Sequence, residues 1–125
     1  MHEASQLLLG KQDFTSFRSV QCQSKSAVRT INDLQVARNG DLVIINISAN
    51  AFLHHMVRNI AGVLIAVGSG RRPVSWVNEV LIAQDRKLGA ETAPPYGLYL
   101  TGVVYPPEFG VSQTITGPMF LLGSL

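Results

Sequence analysis

One long stretch of this chain carries almost no charge, and this limits what the chain can fold into. Between Asp41 and Arg71 the only formally charged residue is Arg58. An element with one face in water normally shows several charged side chains on that face, so this stretch is expected to be largely covered. Its apolar part, residues 60–67, is much too short to span a bilayer. The stretch therefore predicts elements of a protein core.

An antiparallel hairpin is the clearest local signal. Two β-rich runs, residues 28–37 and 42–48, flank Asn39 and Gly40. Asn-Gly supplies the positive φ angles that a tight hairpin turn requires. The sequence therefore predicts two paired strands at the start of the charge-poor stretch.

The remaining elements complete one domain. A short helix over residues 2–9 is expected to end at Gly10, and Asp13 to cap the turn that follows. Other predicted elements are helices over 50–67 and 75–83, the second with Ser75 as N-cap, an extended segment over 92–95 and a third strand over 97–105. The 125 residues thus predict a single α+β domain, an antiparallel sheet with helices packed on one face.

Composition narrows the classes of function. Only 14% of the residues are charged, against roughly a quarter in an average soluble domain, which predicts a large face buried against something outside this chain. The net charge of +2 permits an anionic partner. A single cysteine, Cys22, and an N-terminus unlike a signal peptide predict a cytoplasmic protein.

The predicted helix over residues 50–67 has two unlike sides. At about 100° per residue the large apolar side chains gather on one side. The other side carries His54, His55, Arg58, Gly62 and Ile65, with no lysine or glutamate. This side is therefore expected to be covered as well, and Gly62 would let a neighbouring backbone come close.

Three interpretations of Arg58 and the two histidines stay open on physical grounds. Arg58 could pair with a carboxylate of this chain, because a covered arginine needs a negative partner. A metal site is disfavoured, since adjacent histidines do not share a helix face and no HExxH pattern is present. Alternatively, Arg58 orients a catalytic or substrate anion that comes from outside the chain.

Two other features have ordinary explanations. Residues 68–72, Gly-Ser-Gly-Arg-Arg, follow a helix and lack the spacing of a phosphate-binding loop, so they are expected to end the helix. Phe14 and Phe17 could stack on nucleic-acid bases, but two aromatic residues three apart are more often core.

Several runs resemble one family. These are DFTSFR at residues 13–18 with QCQS at 21–24, NAFLHHMVRNI at 50–60, TAP at 92–94 and GLYL at 97–100. In order and spacing they are similar to the C-terminal domain of the tRNA pseudouridine synthase A family. The resemblance runs from about residue 1 to the Gly-Pro pair at 117–118.

The resemblance implies a function. The family isomerises uridine to pseudouridine in the anticodon stem-loop of tRNA, without cofactor or metal, as a homodimer with a basic cleft. Its nucleophile is an aspartate in a Gly-Arg-Thr-Asp motif of an N-terminal domain, and this chain contains no such motif. The chain is therefore expected to be a C-terminal domain, residues 1–125, that is inactive alone.

The resemblance also implies roles for individual residues. Arg58 matches the arginine that pairs with the nucleophilic aspartate, and Leu98 matches the apolar residue beside the target base. Phosphate contacts are expected from His54, His55, Arg18, Lys25 and Arg29, although an ordinary solvated loop explains the last three equally well. The alternative functions are a stand-alone, non-catalytic RNA-binding or dimerisation module and a structural interaction domain.

Overall fold

A computed structural model describes residues 1–19 and 25–98. The chain divides into two compact units, residues 1–94 and 95–125, and only residues 95–98 of the second are described. The first unit contains three α-helices, α1 (His2–Gln6), α2 (Met56–Gly68) and α3 (Ser75–Ala83). Its three strands are β1 (Gly10–Asp13), β2 (Val28–Asn39) and β3 (Leu42–Ala49), and two 3-10 helices cover Thr15–Phe17 and Arg86–Leu88.

The predicted hairpin is confirmed as the β2–β3 pair. Asn39 lies opposite Leu42, so the two loop residues are Gly40 and Asp41. Gly40 has a φ of +60° and Asn39 does not have a positive φ, which is the pattern of a turn with its left-handed residue first. The turn was therefore predicted correctly, but the loop lies one residue later than Asn-Gly.

The sheet has the order β1-β2-β3 and is antiparallel throughout. Its core side is formed by apolar residues of β2 and β3 that pack with the helices: Ile31, Leu34, Val36, Ile45, Ile47 and Ala49. The opposite side exposes polar residues at the alternating positions: Asp33, Gln35, Asn46 and Ser48. This arrangement confirms the α+β class, with helices on one face of the sheet.

Strand β1 was not predicted, and the helix before it is shorter than expected. α1 ends at Gln6, and Gly10 begins β1 with a φ of +91°, which lets the chain turn into the sheet. The Gln12 side chain donates to the carbonyl oxygens of Leu7 and Leu9 and so satisfies groups that a longer helix would have paired. The prediction that Gly10 ends the helix was wrong.

The third strand was expected over residues 97–105. Gly97 and Leu98 do not belong to a strand: Gly97 has a φ of +88° and the Leu98 amide donates to the carbonyl of Pro95. Residues 99–105 lie outside the described part of the chain. In that part, the third strand of the sheet is β1.

Helix α2 begins six residues later than predicted. His55 has a φ of 61°, a left-handed conformation that cannot continue a helix, and residues 50–55 have no helical structure. Within the helix the apolar side is as predicted, since Met56, Ile60, Val63 and Leu64 are almost fully buried. The placement of His54 and His55 on a helix face with Arg58 was wrong, because both precede the helix.

The opposite side of α2 is partly covered by residues of the same unit. A methyl group added at Gly62 would lie 2.0 Å from the Glu91 carbonyl oxygen, so the backbone of residue 91 passes directly over this glycine. The expected close approach of a backbone at Gly62 is confirmed. The cover at this position is residue 91 of this chain, not a separate domain.

Helix α3 has the predicted bounds, but its N-cap is Val74, not Ser75. The 3-10 helix Thr15–Phe17 packs beneath it. Ser16 is buried, and its hydroxyl donates to the Val80 carbonyl and accepts from the Asp85 amide.

Phe14 and Phe17 are both core residues. Both are fully buried, and their rings meet edge to face at 6.1 Å. The core explanation of these two aromatics is therefore confirmed. Asp13 caps the turn as expected, because its carboxylate accepts from the Thr15 amide at 2.8 Å.

The loop after α2 ends the helix as predicted. The amides of Arg71 and Arg72 both donate to the Ala66 carbonyl, and Gly70 has a φ of +80°. Among the residues described, no helix is both long enough and apolar enough to cross a membrane.

Replacing Gly62 by alanine is expected to destabilise the chain by about 1–3 kcal/mol, because the new methyl group forces the backbone of Glu91 away. This loss outweighs the gain of about 1 kcal/mol in helix propensity. Gly68→Ala in the same helix is the matched control, since its methyl group meets only the flexible Met1 side chain. Thermal melts of the two variants check this, and equal melting temperatures would contradict the close approach.

Candidate functional site

Arg58 lies in the first turn of α2 and is half-buried. Its Nε donates to the Ala93 carbonyl at 2.8 Å, and the Ala93 amide donates back to the Arg58 carbonyl at 3.1 Å. Among the described residues, the two terminal guanidinium nitrogens have no hydrogen-bond or ion-pair partner. These two nitrogens, which can bind a carboxylate or phosphate through two parallel hydrogen bonds, are therefore available to a partner.

The start of α2 adds to the positive potential around Arg58. The helix has no acidic residue in its first turn, and His55 at the N-cap position makes no side-chain cap. The unpaired amides at a helix N-terminus attract anions, and they do so more strongly when a cation stands beside them. The electrostatics of this end of the helix thus favour a negatively charged partner.

His54 and His55 form a stacked pair beside Arg58. Their ring centroids are 3.9 Å apart at an interplanar angle of 24°. Partial burial, followed by the charges of His54 and Arg58, lowers the pKa of His55 below its ordinary value of 6.5. His55 is therefore uncharged at neutral pH and gains its charge only at a pH below the ordinary range of a histidine.

Two hydrogen bonds bring the end of the first 3-10 helix onto this region. The Ser19 amide donates to the His54 carbonyl at 2.9 Å, and the Asn59 side-chain amide donates to the Phe17 carbonyl at 2.7 Å. Arg18 stands between these two anchored residues and is half-buried. The structure therefore brings Arg18, His54, His55 and Arg58 to one end of α2.

The other predicted site residues lie elsewhere. Lys25 is exposed ahead of β2, and the Arg29 side chain, near the start of β2, donates to the carbonyl oxygens of Ser26 and Val28 at 3.0 and 2.7 Å. Leu98 belongs to the second unit, where half of its side chain is exposed.

A partly buried polar cluster beside Arg58 was not predicted from the sequence. It consists of Asn59, Arg86 and Thr92, whose side chains bond to one another at 2.6 to 3.0 Å. Asn59 is only 2% exposed. One signal was available: Asn59 is the single amide side chain within the apolar helix. Arg86 carries no comparable signal, because its buried partner Asn59 lies 27 positions earlier in the sequence.

Metal ligation was the least favoured interpretation of the histidines. Within residues 1–19 and 25–98 the structure forms no group of three or more histidine, cysteine, aspartate or glutamate side chains that could hold a metal ion.

Comparison with known proteins gives a consistent result. A family model described as tRNA pseudouridine synthase matches residues 4–106. The tRNA pseudouridine synthase A of Legionella pneumophila strain Corby is 68% identical over 121 residues, which cover 97% of this chain and 46% of that protein. The Pseudomonas aeruginosa protein of the same name is 55% identical over 123 residues, 98% of this chain and 43% of that protein.

A third relative shows the same coverage. The tRNA pseudouridine synthase A of Shewanella loihica is 53% identical over 122 residues, 98% of this chain and 47% of that protein. The chain thus spans about half the length of the curated relatives it matches. With the match to residues 4–106, these identities show that the chain belongs to the tRNA pseudouridine synthase family.

Proposed function

We propose that this chain is the C-terminal part of a tRNA pseudouridine synthase A, which isomerises uridine to pseudouridine in the anticodon stem-loop of tRNA. The relatives with this name are about twice as long as the chain. The reaction moves the glycosidic bond of the ribose from N1 to C5 of the base, and a proton moves from C5 to N1. Substrate and product are isomers, so no oxidant or reductant is needed.

One observation carries this proposal: Arg58 presents an open guanidinium end beside the N-terminus of α2. In the proposed enzyme, an N-terminal domain supplies the nucleophilic aspartate that binds this end. The four aspartates of the chain, Asp13, Asp33, Asp41 and Asp85, do not lie in a Gly-Arg-Thr-Asp motif. The contact with Arg58 keeps the aspartate ionised in a site where burial alone would raise its pKa.

The remaining residues take supporting roles in the proposal. Arg18, His54 and His55 contact tRNA phosphates next to Arg58, and Lys25 and Arg29 do so further along the chain. Leu98 packs against the target base, which must leave its stack to reach the aspartate. The complete enzyme works as a homodimer in the cytoplasm.

The isolated chain is expected to release no tritium from uridine-labelled tRNA above a no-enzyme blank, because the covalent step needs an aspartate that another domain provides. A full-length relative assayed in parallel is the positive control. Turnover by the chain alone would contradict the assignment of the nucleophile to a missing domain and would favour a complete catalytic unit in this chain.

Binding of tRNA to the isolated chain is expected to be weak and to depend on both salt and pH. The three Lys and Arg side chains proposed as phosphate contacts, Arg18, Lys25 and Arg29, limit the slope of log affinity against log salt to a magnitude of roughly 3. Because the pKa of His55 lies below 6.5, its charge appears only as the pH falls through that lowered value, and binding should then tighten.

Filter binding across salt and pH series measures both effects. His55→Gln should reduce the tightening in acid, whereas His2→Gln, on α1, should leave it unchanged. Tight binding that persists in high salt would point instead to a self-sufficient RNA-binding module. An equal effect of the two histidine variants would exclude His55 as the titrating group.

Arg58→Met is expected to cost the isolated chain only about 1 kcal/mol, the value of the hydrogen bond to Ala93, because no described carboxylate is left unpaired. In a full-length synthase the same change should leave folding nearly intact and remove most of kcat, since the aspartate loses its partner.

The matched control is Arg71→Met. Arg71 follows the same helix and also uses its Nε in one hydrogen bond, to the Ser69 hydroxyl, but it is exposed. This variant should keep full activity. If thermal melts of the isolated chain show that Arg58→Met costs roughly 3–5 kcal/mol, Arg58 is a structural ion-pair residue and the proposed role fails.

A further inference from the structure

The guanidinium of Arg58 is aimed by a neighbouring segment that has no regular secondary structure of its own. Residues 91–94 are neither helix nor strand, yet Ala93 exchanges two hydrogen bonds with Arg58. Nε lies in the guanidinium plane, so its bond to the Ala93 carbonyl fixes the orientation of that plane. With Nε occupied, a carboxylate can bind in bidentate fashion only through the two terminal nitrogens. The position of the Ala93 carbonyl therefore determines the direction in which Arg58 accepts its partner.

The position of Ala93 depends in turn on the residue before it. The Thr92 hydroxyl donates to Asn59 Oδ1 at 2.6 Å and accepts from Arg86 Nη2 at 2.8 Å. Arg86 Nη2 also donates to Asn59 Oδ1 at 3.0 Å. The three atoms form a closed triangle in which the Thr92 hydroxyl donates one hydrogen bond and accepts another. This leaves Thr92 one well-determined position.

The triangle is itself fixed to the core. Asn59 is 2% exposed, and its Nδ2 donates to the Phe17 carbonyl at 2.7 Å. Asn59 also follows Arg58 directly in α2. The residue that holds the triangle in the core and the arginine that it orients therefore belong to the same helix. On the other side of Thr92, the close approach of Glu91 to Gly62 restrains the same segment.

We propose that Asn59, Thr92 and Arg86 are positioning residues that aim Arg58 by holding the Ala93 carbonyl in place. They do not touch the substrate or the aspartate; they act through Arg58. The catalytic consequence rests on the proposed function, whereas the geometric part can be tested on this chain alone.

The geometric test follows the Nε–H proton of Arg58 by NMR, with the signal assigned by its disappearance in Arg58→Lys. In the unchanged chain this proton should exchange slowly with water. Thr92→Val removes the hydroxyl but keeps the shape of the side chain, and it should speed the exchange at least fivefold, the factor that corresponds to about 1 kcal/mol. Thr92→Ser keeps the hydroxyl and should retain the slow exchange.

A control separates positioning from general stability. Val36→Ala removes apolar contacts of the sheet without touching the triangle. It should lower the melting temperature and leave the exchange of the Arg58 Nε–H unchanged under conditions where both variants are folded. Equal exchange rates in Thr92→Val and the unchanged chain, or equal acceleration in Val36→Ala, would overturn the inference.

The catalytic test uses a full-length synthase that contains this chain. Thr92→Val should lower kcat at least fivefold with little change in KM, and Thr92→Ser should restore it, because aiming Arg58 matters only to the aspartate. If Arg58→Met loses activity but Thr92→Val leaves both kcat and the Nε–H exchange unchanged, the positioning inference fails and the proposed function stands. If Arg58→Met keeps activity, the proposed function fails, and the NMR result still decides the positioning.

Discussion

The side-chain amide of Asn59 connects three segments that are distant in the sequence. Its nitrogen bonds to the carbonyl at the end of the first 3-10 helix, and its oxygen receives protons from Arg86 and Thr92. A buried amide group that lacks a hydrogen-bond partner costs about 1–3 kcal/mol. Each of these segments must therefore be in place before the polar atoms of Asn59 in α2 are satisfied. The region around Arg58 is therefore ordered by a polar contact inside an otherwise apolar helix.

Next to this contact, the terminal guanidinium nitrogens of Arg58 remain available to a partner. Arg58 offers its terminal nitrogens at the positive end of α2, and the lowered pKa of His55 keeps that neighbour neutral near pH 7. A second fixed positive charge at the same point would repel Arg58 and draw in solvent anions that compete with a specific carboxylate. The ring of His55 stacks on that of His54, with centroids 3.9 Å apart, so this neighbour of Arg58 is held in place by a second aromatic ring.

The elements that could be predicted from the sequence are those determined by adjacent residues. The hairpin depends on a local turn around Gly40, and α3 begins two residues after Pro73, so both were found. The start of α2 was misplaced because the apolar pattern continues through residues 50–55. There the backbone is broken by left-handed His55 and held by the bond from Ser19 to His54. That bond joins residues 35 positions apart and leaves no trace in a local pattern.

The candidate site was predictable to a similar extent. Arg58 stands out as the single charge in a long apolar stretch, and the glycine four residues later correctly indicated a close backbone. The Thr92–Arg86–Asn59 triangle could not be derived, because its longest link spans 33 residues and involves ordinary polar side chains. β1 was missed for the same reason: four residues without alternation become a strand only through pairing with β2.

The bond between Arg58 and Ala93 has a consequence for the order in which the chain acquires its structure during synthesis. The two residues are 35 positions apart, so α2 can form on the ribosome well before the carbonyl that orients its arginine has been made. At about 5–20 residues per second, this interval lasts roughly 2–7 s. During that time the orientation of the Arg58 guanidinium is not fixed by Ala93, and the helix lies next to the highly charged RNA of the ribosome. Residues 91–93 stand at the C-terminal end of the first unit, so they can dock on α2 only after the rest of that unit has been synthesised.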